Sequence, residues 1–298
     1  MKKVPVLYHL QAADACVNLY DGAARTALKN RQFEWTSCGE RHDKIETGLV
    51  EWELDDEYLP VAVGGSLTTN RGVKGENFAR WFKEVEGLST AELGDFALSG
   101  DEENLIFESG DFHPVEGLFT MNFGLPFITV ANGKEEFEIT ADDDTFVFVG
   151  DKLVIDMGGI HSVTTGRFVI NENAEIYAAV GDQSLAYTGA NLSVGAAAVI
   201  RVYHANRDSK NSVFSVRVSS MVLNATEKNG EATVAYDPTN PGAVAPMGES
   251  LTVGLEQSRM MDVVAAVKGM SFGLIMVCIT AIIFAVVKRW QRGHSQEE

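Results

Sequence analysis

Asp142, Asp143 and Asp144 are three consecutive carboxylates set between two strand-like runs. Adjacent like charges repel, so an ordered triple Asp needs a cation beside it. A hard divalent ion with oxygen ligands is the natural one, and calcium suits the ligand type best. The competing reading is a solvated acidic turn. Asp151 and Asp156 are weaker candidates for the same ion. His161, at the end of the following hairpin, could face a ligand, or could be a structural histidine. His204, Asn206, Arg207 and Asp208 stand at the end of another strand-like run and could form a second loop over the site. For Arg207 the alternative is an ion pair with a carboxylate.

Other chemistries find little support. His161 and His204 lack the spaced partners of a zinc site, and no Cys-x-x-Cys occurs. There is no Gly-x-Ser-x-Gly elbow, no His-Glu-x-x-His and no phosphate-cradling glycine loop, so the chain is read as a non-enzyme. Glu135, Glu136 and Glu138 are explained by a charged strand face. Trp35, Trp52 and Trp81 could stack on sugar rings, with core packing as the default. A formal charge of −18 over 298 residues argues against a nucleic-acid partner.

The elements that must position these groups are mostly strands. Glu136–Thr140 alternates Phe137 and Ile139 with polar neighbours. Thr145–Val149 and Leu153–Met157 are apolar runs joined by Gly150-Asp151-Lys152, a hairpin signal. Further strands are expected at Asn104–Ser109, Gly166–Ile170, Glu175–Val180, Ala197–His204 and Val213–Val222. Phe78, Trp81, Phe82 and Val85 recur at helical spacing, which predicts a short amphipathic helix over Glu76–Glu86. The expected fold is mainly β: an antiparallel β-sandwich with that helix, plus one C-terminal transmembrane helix.

The transmembrane segment is Gly269 to Val287, apolar throughout and flanked by Lys268 and Lys288. At helical rise it matches the hydrocarbon thickness of a bilayer. Lys288, Arg289 and Arg292 place the C-terminus in the cytoplasm and the acidic part outside. The N-terminus starts basic, but its apolar run is short and broken by Pro5 and His9, so a missing or atypical export signal is expected. The expected organisation is an irregular segment over 1–45, the sandwich over 46–223 and a stalk over 224–258. A helical lead-in and the membrane helix follow over 259–288, then a cytoplasmic tail over 289–298. Cys16 and Cys38 could form a disulfide worth roughly 3 kcal/mol, or could be two separate thiols.

Several segments resemble the fibro-slime domain family, which stands beside the lectin-like sandwich of anthrax protective antigen. They are Asn77-Phe78-Ala79-Arg80-Trp81-Phe82, Phe112-His113-Pro114, Asn122-Phe123-Gly124, the block from Phe137 through Asp144 to His161, and Val202-Tyr203-His204-Ala205-Asn206-Arg207 with Ser212 and Phe214. The match covers roughly residues 76 to 220, and the block from Asp142 to His161 is its most specific part. Phe146 stands where the family usually has Trp, Gly150-Asp151 where it has Asp/Asn-Gly, and Asn206 where it commonly has Glu. The resemblance implies a surface β-sandwich linked to adhesion, binding carbohydrate or a surface polymer. It also implies an adjacent Asp pair, here Asp142 and Asp143, joined by a cis peptide and holding a calcium ion that meets sugar hydroxyls. A structural surface-layer or fibre component, in which calcium only rigidifies a loop, is the alternative. A polysaccharide-acting enzyme is a distant second.

Overall fold

Strands whose residues alternate between apolar and polar can bury one face; strands that are apolar throughout must be covered on both. Both kinds occur in this computed structural model. It describes residues 1–11, 45–63, 78, 80–87, 89–101, 103–115, 118–207, 212–223, 225–228, 231–234 and 237–240. All of these lie in one unit, Met1–Ala245. The Cys16–Cys38 pair, Asp208, Trp35 and the apolar segment 269–287 lie outside the described residues.

The described residues form fifteen strands. They are β1 Lys2–Gln11, β2 Ser89–Gly100, β3 Asn104–Ser109, β4 Phe119–Ile128, β5 Glu135–Ala141, β6 Thr145–Val149, β7 Lys152–Met157 and β8 Thr164–Ile170. After them come β9 Glu175–Val180, β10 Ala186–Asn191, β11 Ala197–Asn206, β12 Phe214–Ser219, β13 Val222–Leu223, β14 Ala225–Lys228 and β15 Glu231–Val234. Their order is β10-β9-β8-β5-β12-β3-β2-β1-β4-β11-β6-β7. The long β2 pairs with β1 along most of its length and with β3 only at Ser99 and Gly100, so it joins the two layers. The result is an antiparallel sandwich that approaches a barrel, with β7 at one end of the order packed against β8, β9 and β10.

Phe123, Ile200, Val202, Val147 and Ile155 from one layer meet Phe137, Ile139, Phe168, Val216 and Phe214 from the other, all fully or nearly fully buried. The β5 alternation is as expected, with Phe137 and Ile139 inside. β6 is buried on both faces. Val147 and Val149 point to the main core, while Phe146 and Phe148 join Phe78, Trp81, Phe82 and Tyr203 in a second core. That second core is covered by residues 45–63, which run as a strap across the outer face. Strap bonds include Glu46 N to Gly158 O at 2.8 Å and Leu153 N to Trp52 O at 2.9 Å.

The amphipathic helix expected over Glu76–Glu86 is not found, and no helix is among the elements of the described residues. In the described part of this stretch Phe78 alone has helical backbone, and 80–87 consist mainly of turns, with Trp81 N donating to Phe78 O at 3.0 Å and Lys83 N to Arg80 O at 3.4 Å. Bonds between residues three apart bring Phe78, Trp81 and Phe82 together as a helix would. The chain then turns back at the Val85–Ser89 bridge, where the Ser89 hydroxyl donates to Lys83 O.

Residues 2–11, read from the sequence as irregular, form β1 between β2 and β4. Pro5 falls between the β15 pairing at Lys2–Lys3 and the β4 pairing from Val6, a gap in the ladder on that side. Residues 225–228 and 231–234, read as the start of a stalk, form β14 and β15, and β15 pairs in parallel with β1.

Gly158 marks the tightest strap contact. A β-carbon there would sit 2.4 Å from Leu49 Cδ1 and 2.5 Å from Glu46 O. Gly158→Val is expected to destabilise by about 1–3 kcal/mol through overpacking. The strap should open first, as earlier proteolysis within residues 45–63. A variant cut no faster than wild type would contradict this.

Candidate functional site

The triple Asp forms the turn from β5 to β6, and burial rather than solvation is its condition: Asp142, Asp143 and Asp144 are 4%, 1% and 1% exposed. Carboxylates almost never reach this depth without partners. The main partner comes from the end of β11. Arg207 Nη2 lies 2.5 Å from Asp144 Oδ2, and its Nε donates to the same oxygen at 2.7 Å. Gly159 N donates to Asp144 Oδ1 at 2.7 Å, so both oxygens of Asp144 are engaged. Arg207 N donates to Asp143 Oδ2 at 2.6 Å. The backbone closes the turn further, with His161 N to Asp142 O at 3.1 Å and Ala205 N to Asp144 O at 2.9 Å.

Burial, with the neighbouring Asp142 second, pushes the Asp143 carboxyl well above the usual range; Arg207 pulls the other way. Nearby on β7, burial pushes Asp156 up to about 6, opposed by a 2.6 Å hydrogen bond from Gly48 N. Asp156 thus fastens the strap. Asp151, at the exposed hairpin, lies 3.7 Å from Lys152 Nζ.

The two histidines are structural in their described contacts. His204 Nδ1 is 3.0 Å from the Thr145 hydroxyl, and its ring packs near Phe119 and Phe214. His161 Nδ1 meets Ser162 O at 2.8 Å. Asn206 is buried beside Arg207. Glu135 departs from the expected charged face: it is fully buried and accepts from Val130 N and Ala131 N at 3.0 and 2.5 Å. Trp81, a core residue by default, lies under the Arg207 guanidinium at 5.1 Å. No spacing in the sequence signalled that contact, because Trp81 and Arg207 are far apart in the chain.

The peptide bonds of the described residues contain no cis bond, so the cis Asp142–Asp143 linkage implied by the resemblance is not found. Among the described residues no group of three or more His, Cys, Asp or Glu side chains is arranged to hold a metal. The donor set still fits a hard divalent cation in charge and atom type. Three carboxylates are buried together beside the Arg207 guanidinium. Asp142 and Asp143, the pair that the resemblance implies, are the residues that would hold the ion.

The architecture and the buried acidic turn define an antiparallel β-sandwich domain with a carboxylate cluster at the β5–β6 turn. Comparison with known proteins finds relatives of part of this chain in one organism. Protein psiF of Dictyostelium discoideum is 26% identical over 182 residues, covering 50% of this chain and 24% of psiF. Protein psiD of the same organism is 27% identical over 149 residues, 42% of this chain and 29% of psiD. Protein psiC is 30% identical over 108 residues, 28% of this chain and 20% of psiC. The chain spans about a quarter of the length of these curated relatives. No family model matches the chain. The similarity to these psi proteins supports assignment of the chain to the fibro-slime domain family.

Proposed function

We propose that this chain is a membrane-anchored cell-surface protein whose β-sandwich binds carbohydrate or another surface polymer, with calcium held by Asp142 and Asp143. The observation that carries the reading is the burial of three adjacent carboxylates together in the β5–β6 turn. When bound, calcium would supply positive charge beside Asp142 and Asp143 and open positions for vicinal hydroxyls. Asp144 and Arg207 orient the turn, and the Arg207 amide holds Asp143 in place. The apolar run 269–287 and the basic cluster after it support the anchor and an extracellular domain. The role is binding rather than catalysis, and many copies on one surface would offset weak single-site affinity.

A second reading is favoured by one fact: the carboxylates are at most 4% exposed, which leaves a sugar little access. In that reading calcium only rigidifies the turn of a structural surface component.

Melting the full chain in detergent with 1 mM calcium and with chelator tests the ion. At a hundredfold excess over Kd, calcium is expected to stabilise by about 2.7 kcal/mol. Asp142→Asn and Asp143→Asn should abolish the difference. Identical melts for wild type in the two buffers would remove calcium from the proposal. A calcium shift without any calcium-dependent glycan binding would select the structural reading.

A further inference from the structure

The aromatic side chains of this domain are mostly buried, and those in the two cores approach zero exposure. The edge formed by β9 and β10 is different. Tyr177 and Tyr187 are directly opposite in the ladder, with ring centroids 5.5 Å apart at 45°. Trp52, from the strap, reaches the same edge. A β-carbon on Gly189 would lie 3.6 and 3.8 Å from Trp52 Cζ2 and Cη2, so the indole rests on bare backbone two residues from Tyr187. Trp52 is 42% exposed and Tyr187 47%. Polar groups fringe the rings: Tyr187 Oη donates to Asn191 Oδ1 at 2.9 Å, and Asn171 Nδ2 to Glu175 Oε2 at 2.7 Å. Tyr177 Oη also points to Glu175 Oε2, at 3.4 Å.

The chemistry of this edge narrows its occupant. Glu175 and a chain charge of −18 disfavour an anionic polymer, and neither Lys nor Arg belongs to the cluster. A β-strand from a second copy needs a continuous ladder. The register of β10 breaks between Tyr187 and Asn191, and Gly189 sits at φ +84°, which interrupts the edge. A purely apolar partner would dehydrate the Tyr hydroxyls, Asn191 and Glu175 at a cost. A neutral ring with a C–H face and a rim of hydroxyls satisfies both parts. The C–H face lies on the electron-rich ring faces, and the hydroxyls meet the amide and carboxylate.

We propose that Trp52, Tyr177 and Tyr187 form a stacking platform for a neutral pyranose chain, separate from the Asp142–Asp144 turn and independent of calcium. The proposal rests on the carbohydrate part of the function given above. A platform on the β10 edge also provides what the buried turn does not, an exposed surface for a polymer.

The test is calorimetric titration of the full chain with cellohexaose and with mannohexaose, in chelator and in calcium. Cellohexaose presents C–H groups on both ring faces because its ring hydroxyls are equatorial. Binding in chelator is expected, weakened about tenfold or more in Trp52→Ala and in Tyr187→Ala, since losing one stacked ring removes an interaction of about this size. Trp52→Phe should retain most of it. Tyr187→Ala is the safeguard should Trp52→Ala loosen the strap. Binding that survives both alanine variants but disappears in chelator would overturn the platform and leave calcium-dependent carbohydrate binding standing. No binding of either sugar in either buffer would overturn the platform and count against the carbohydrate reading as well.

Discussion

Arg207→Ala is expected to destabilise the domain by about 3–5 kcal/mol, the cost of leaving buried carboxylates without their cation. The guanidinium is 1% exposed, bonds Asp144 through Nη2 and Nε, and lies over Trp81. Its removal takes the forked ion pair from Asp144 and a positive charge from beside Asp143. Arg207→Lys should recover only part of the loss, because an ammonium cannot reproduce the forked contact or the flat packing on Trp81. Asp144→Asn in the Arg207→Ala background should give back stability, since it removes one stranded charge, and the two changes should be strongly non-additive. Equilibrium urea unfolding at neutral pH of wild type, Arg207→Ala, Arg207→Lys, Asp144→Asn and the double variant measures these effects. A loss below about 1 kcal/mol for Arg207→Ala would mean that the pair is a surface-like contact in energy. If calcium binds Asp142 and Asp143, it should stabilise Arg207→Ala more than wild type.

The acid response of stability should be governed in large part by His204. Burial pushes its imidazole down to about 3, with Asp144 pulling it up and His161 pushing it down. The unfolded chain titrates near 6.5. Below that pH the unfolded state gains a proton that the folded state refuses until about 3. The stability tied to neutral His204 is therefore complete above about 6.5 and is lost progressively as pH falls, by up to about 1.4 kcal/mol per unit. Asp156 works in the opposite direction. Its folded carboxyl protonates near 6, before the unfolded one, so the cost of burying its charge is relieved as pH falls through that value. Asp143, raised by burial, acts in the same sense. His204→Phe, placed near Phe119 and Phe214, removes the first contribution and keeps the others. Between pH 6.5 and 4.5 the variant should lose less stability than wild type by about 2–3 kcal/mol. Chemical denaturation at intervals of half a pH unit measures the difference. Parallel curves for the two proteins would show that His204 does not carry the acid response.

Much of the second half of the sandwich could be read from residue pattern. β5 through β9 appear as alternating or apolar runs broken by Gly-rich turns, and Gly150-Asp151-Lys152 closes the β6–β7 hairpin as expected. β1 was hidden because Pro5 and His9 interrupt its apolar run. His9 is nonetheless buried against Asn122, 3.3 Å away. β4 was hidden because it is buried along its whole length, including Pro126, and shows no alternation. The turns around Trp81 imitate helical spacing, since their bonds also join residues three apart. Periodicity alone does not separate the two cases; the Val85–Ser89 bridge and the Thr120 hydroxyl on Trp81 O do.

Three neighbouring carboxylates announce, through Coulomb repulsion alone, that something positive must stand beside them if the turn is ordered. That requirement is local and belongs to the chain's covalent order, as do the strand alternation and the apolar run at 269–287. Which cation answers it is a matter of distance in space. Arg207 lies 63 residues from Asp144 and reaches it because β11 pairs with β6 and ends beside the β5–β6 turn. The same pairing carries Phe146 and Phe148 to an outer face that the strap must cover, and leaves Trp52 lying on Gly189 at the β10 edge. Burial, partner choice and exposure depend on sheet order and register, which arise from contacts across the whole fold and have no image in any short stretch of residues.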